Sequence, residues 1–117
     1  MNLERLHAVL DRVTHVRGVR GAMLVSADDG LAVAEALMEG IRGHAVAALA
    51  ASLATRLSRA AEASGAGAQR FIHVAAEHGA LLLLPVSEGL LLVAIADREV
   101  NVGLTRLEMQ RAGAALR

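Results

Sequence analysis

Two apolar runs, ALLLLPV at 80–86 and LLLVAIA at 90–96, separated only by Ser87-Glu88-Gly89, restrict this chain more than any other feature. A strand with one face in water alternates apolar and polar residues, whereas a strand covered on both faces reads as an almost unbroken apolar run. The centre of the sheet must therefore lie between two layers. RFIHVAA at 70–76, set off by His78-Gly79, adds a further run, and the spacing predicts three antiparallel strands joined by tight turns. Upstream, GAMLVSADDGLAVAEAL puts apolar runs on both sides of Asp28-Asp29-Gly30, whose Asp-Gly pair tolerates the positive φ of a hairpin. Strands are expected there at about 20–26 and 31–36.

Three segments carry helical periodicity. Leu3, Leu6, Leu10 and Val13, with Val9 beside them, predict an amphipathic helix over roughly 2–16, with Gly18 as its stop. A second helix is expected from 44 to 63, after Gly40 and Gly43, ending near Ser64-Gly65 with Arg56 and Arg59 toward its negative end. Leu104, Leu107, Met109, Ala112 and Leu116 predict a last helix over about 99–116, with Gly103 near its start. The order is α-β-β-α-β-β-β-α. The fold class is α/β, an α+β sandwich with a five-stranded antiparallel sheet, one helix on one face and two on the other. At 117 residues and 55% hydrophobic, the chain suits one core, so a single domain over 1–117 is expected.

The middle helix has too little polarity for a surface helix. Val46, Leu49, Leu53, Leu57 and Ala60 form a bulky stripe, expected to press on the sheet. Ala47, Ala50, Ala51, Ala54, Ser58 and Ala61 form a small-residue face on which a second backbone could approach closely. Residues 43–55 hold no Asp, Glu or Arg, an apolar surface of the kind that marks an interaction site. The run Arg70, Phe71, Ile72, His73, Val74 opens the three-strand meander and is expected at a sheet edge, where unpaired amides invite pairing with a second copy. These two sets together predict a self-complementary, two-fold homodimer interface.

Other chemistry is largely excluded. All twelve basic residues are arginine, so a phosphate-binding loop ending in Lys, Schiff-base catalysis and Ser-x-x-Lys chemistry are impossible. SGAGAQR follows a helix and ends in Arg70, so it reads as a cap and connector, not a nucleotide loop. PVSEG joins two strands, where a nucleophile elbow needs strand then helix, so Ser87 reads as a turn residue. His7, His15, His44, His73 and His78 lack metal-ligand spacing, and Asp28-Asp29 lacks the alternating acids of a calcium loop; no metal or cofactor is expected. Arg56 and Arg59 are weighed as arginine fingers and read as solvated helical arginines. A net charge of zero and the lone aromatic Phe71 exclude a nucleic-acid surface. The charge-free stretch of the middle helix is too short to span a membrane. The absence of cysteine and the charges in MNLERLHAVLDR lead us to expect a cytoplasmic location.

VRGVRGAMLVSADDGLAVA, AALAASLATRLSRAAEASGAG, ALLLLPVSEGLLLVAIAD and NVGLTRLEMQRAGAAL, in this order and over nearly the whole chain, resemble the roadblock family, the dynein light-chain type of domain shared with bacterial MglB. The resemblance implies a five-stranded α/β domain that dimerises through its middle helix and third strand, and whose paired helices form a platform. In bacterial relatives that platform engages a small Ras-like GTPase; eukaryotic relatives serve as dynein light chains or as scaffolds. It implies here a homodimeric regulator of a small Ras-like GTPase without an active site of its own. The alternative is an adaptor dimer for a GTPase, kinase or motor subunit. Arg42, His44, Ala48, Ser52, Thr55, Arg56 and Arg59, on or beside the outer face of the helix, are the expected partner contacts. Bacterial MglB proteins often carry a further C-terminal segment, and its contacts are not carried over to this chain, which stops at Arg117.

Overall fold

A computed structural model of the chain describes residues 2–87 and 89–116. Met1, Arg117 and Glu88, the middle of the expected Ser87-Glu88-Gly89 turn, lie outside the described residues. The elements are α1 (Leu3–Thr14), β1 (Val19–Ser26), β2 (Ala32–Leu37), α2 (Gly43–Ala63), β3 (Ile72–Ala75), β4 (Gly79–Ser87), β5 (Leu90–Asp97) and α3 (Val102–Ala114). All strand pairings are antiparallel, and the spatial order is β2-β1-β5-β4-β3. The predicted order and sheet are thus observed, with β2 and β3 at the edges.

The unbroken apolar runs follow directly from two cores that share the sheet. Ala22 and Leu24 of β1, Leu82 and Leu84 of β4, and Leu92 and Ala94 of β5 pack against α1 and α3. Their sequence neighbours Met23, Val25, Leu83, Leu91 and Val93 pack against α2. Alternate side chains enter opposite cores, so both sets must be apolar.

Local chemistry sets the helix limits. Asn2 caps α1, its Oδ1 accepting from the Arg5 amide at 2.8 Å, and Asn101 caps α3 by accepting from the Leu104 amide at 2.9 Å. That second cap places the start of α3 at Val102, three residues later than expected from periodicity. Helix α1 ends at Thr14, before Gly18, whose φ of +94° serves the turn into β1. The expected apolar stripes are trimmed: Leu3, Leu104 and Leu107 are exposed, while Leu6, Val9, Leu10, Val13, Met109 and Ala112 fill the core. No basic residue lies in the last turn of α2, so Arg56 and Arg59 sit too early to meet its negative end as expected.

The orientation of α2 reverses the expectation. Ala47, Ala50, Ala51 and Ala54 are buried against the protein's own sheet, and the bulky stripe is split: Val46 and Leu53 pack at the margin of the same core, while Leu49 is 69% and Leu57 38% exposed. The cause is the size of the side chains rising from the sheet. Met23, Leu83 and Leu91 fill much of the interlayer space, so at native packing density the centre of the α2 contact is made by alanine methyls, with Val46 and Leu53 at its margin. A second close approach reinforces the fit: a Cβ on Gly30, in the β1–β2 turn, would lie 3.1 Å from the Ala48 Cα. The four alanines are therefore occupied within the protomer and cannot form the two-fold interface assigned to them. Ser58 and Ala61 are half-buried at the continuation of that face.

Candidate functional site on the middle helix

With its small side consumed, α2 presents two flanks. On the first, Val46, Leu49 and Leu53 line an apolar groove of about 410 Å³ with Ile41, Arg42 and Leu81. Leu81 lies opposite Val74 in the β4–β3 pairing, so the groove leads to the edge strand. Among the described residues strand β3 pairs only with β4, and Val74 is 37% exposed. An apolar helix stripe and an unpaired strand edge thus occupy one side of the molecule. Strand formation begins at Ile72, so Arg70 and Phe71 precede the strand in which they were expected. Phe71 turns instead toward the core shared with α3, and the Arg106 guanidinium lies over its ring, 4.6 Å from the centroid. Ile72 is buried against α2, while His73 and Val74 remain at the exposed edge.

The second flank faces the β1–β2 turn. That turn is built by the Leu31 amide donating to Asp29 Oδ1 at 3.1 Å and by Gly30 at φ +71°, a conformation that suits glycine. It sets Asp28 and Asp29 across from α2, closing a groove of about 310 Å³ lined also by Ala48, Ser52, Thr55, Arg56 and Arg59. Five of the seven predicted partner residues therefore come together. Arg42 is the N-cap residue of α2 and lines the apolar groove instead, and His44 is exposed near the same helix end. Among the described residues, Arg56 and Arg59 form no ion pair. Acidic turn and basic helix make the groove mixed in sign, suited to a protein surface bearing both charges and poorly suited to a bare phosphate.

Sequence reasoning missed Leu49 and Leu57 as outward residues, and it missed the acidic turn as one wall of the site. The leucines were visible as a stripe, and only their direction was misassigned. The Asp28-Asp29 pair carried no local signal, because its nearness to Arg56 arises from tertiary packing. Among the described residues no three His, Cys, Asp or Glu side chains cluster to hold a metal ion, and no helix is long and apolar enough to cross a membrane.

Comparison with known proteins places this geometry. The profile of the Roadblock/LC7 domain matches residues 6–96. The uncharacterized protein MJ0310 of Methanocaldococcus jannaschii is 34% identical over 104 residues, covering 89% of this chain and 90% of the relative. Among solved structures, Myxococcus xanthus MglB superposes with a TM-score of 0.89 at 23% identity, covering 99% of this chain and 94% of that one, a likeness of fold. An MglB with a tetrameric arrangement gives a TM-score of 0.88 at 26% identity, covering 97% of this chain and 85% of its own.

Proposed function

Because the chain belongs to the Roadblock/LC7 domain family, we propose that it is a cytoplasmic, homodimeric regulator of a small Ras-like GTPase and has no active site of its own. The observation that carries the dimer is the exposed Leu49 and Leu57 stripe beside the unpaired edge of β3. One two-fold axis can cover both, laying α2 against its copy and extending the sheet through His73 and Val74. Antiparallel pairing at the edge would supply hydrogen bonds, and the leucine stripe would supply buried apolar area. The tetrameric MglB shows that a similar chain assembles.

The paired helices would then present Ala48, Ser52, Thr55, Arg56 and Arg59 twice, each set bordered by an Asp28-Asp29 turn. Such a surface regulates by binding one switch conformation of its client more tightly than the other, since equal affinity for both shifts no equilibrium. The decisive experiment measures GTP turnover by the cognate GTPase with and without this protein. We expect turnover to change, and to return to its basal rate with Arg56→Glu. Tight binding with unchanged turnover would instead establish the adaptor reading.

A further inference from the structure

A second cleft, of about 370 Å³, is walled by α3 and not by α2. It lies between the segment preceding β3, strand β4 and helix α3, and is lined by Gln69, Arg70, Leu84, Pro85, Arg106 and Gln110. We propose that this cleft binds a phosphate monoester.

Three observations support it. The first is charge: two guanidiniums share a lining with no carboxylate, and among the described residues neither Arg70 nor Arg106 is ion-paired, although Arg12, Arg20 and Arg111 all are. The stacking of Arg106 on Phe71 holds one guanidinium in place before any ligand arrives. The second is an orphaned group. Gln69 Oε1 is buried without a hydrogen-bond partner, a state that calls for an explanation in a folded protein. An acceptor oxygen needs a donor, which a hydroxyl on the organic part of a phosphate ester would supply. The third is stoichiometry. Two guanidiniums match the nearly two negative charges that a phosphate monoester carries near neutral pH, where a carboxylate carries one. Leu84 and Pro85 supply an apolar wall for the organic part of the ester.

The test is a titration followed by NMR of backbone amides and of arginine and glutamine side chains, at constant ionic strength. The ligands are inorganic phosphate, glycerol 3-phosphate and a phosphoserine peptide. We expect saturable shifts at Gln69, Arg70, Arg106 and Gln110, with glycerol 3-phosphate binding more tightly than inorganic phosphate. Arg106→Gln should weaken binding about tenfold or more. Gln110→Glu, which places a negative charge in the cleft and leaves the Phe71 stack intact, should abolish it and serves if Arg106→Gln does not fold. Tighter binding of the peptide would support the site and identify its source as a modified protein. Shifts that do not saturate, equal shifts at Arg56 and Arg59, or wild-type affinity in Gln110→Glu would each overturn the proposal.

Discussion

Single side chains under α2 act as spacers. Ala47 is 1% exposed and belongs to the same packed cluster as Met23, Leu83 and Leu91. Ala47→Leu should therefore destabilise the protein by about 1–3 kcal/mol, the usual cost of overpacking, read from the shift of its urea midpoint. The alanine stripe is plain in the sequence, but its direction is not. An area argument ranks Leu49 and Leu57 as inward residues because they would bury more apolar surface. The outcome is decided by the height of Met23, Leu83 and Leu91, which belong to distant segments and favour methyls at the centre of the contact. Gly113 shows the same principle on the other face, where an added Cβ would lie 2.7 Å from Val86 Cγ1. A β-branched valine has little freedom to yield.

Helices α1 and α3 are tied by Glu108. Its Oε2 accepts from Arg12 Nε at 2.9 Å and its Oε1 from Arg111 Nη1 at 3.1 Å. The hydrogen bond from Arg12 is the main reason that the carboxyl pKa lies below its ordinary value; partial burial opposes it, and the charge of Arg12 and contacts with Arg111 lower it further. The ionised form is thus favoured by folding. Its contribution is complete above the ordinary carboxyl pKa and is lost as pH falls through the lowered one. Denaturation measured across that acidic range should have a shallower pH slope in Glu108→Gln than in the wild type. Element order was readable here because each strand run and each helical stripe is a local pattern. The Glu108 tie was not, since its partner Arg12 lies at the far end of the chain. The start of α3 was readable in principle, from Asn101 ahead of an apolar periodicity, but Gly103 obscured it.

On the scale of the molecule, the α2 face and the β3 edge form one unpartnered side. Leu49→Arg places a charge on a residue already open to water, so the protomer should keep its fold while self-association falls. Light scattering at micromolar concentration should give a dimer for the wild type and a monomer for the variant; a wild-type monomer would sink the proposed assembly. The two-layer fold could be inferred from sequence because unbroken apolar strands leave no alternative. The grooves could not, because each is walled by segments that meet only after folding. The contact between α2 and the sheet, made largely of methyl groups, has one more effect. A seam of such short groups sets how high the helix rides above its support, much as a shim sets a clearance. Lengthening a hidden group there would lift the outward surface as a unit, altering how a visiting molecule seats while every atom it touches keeps its chemical identity.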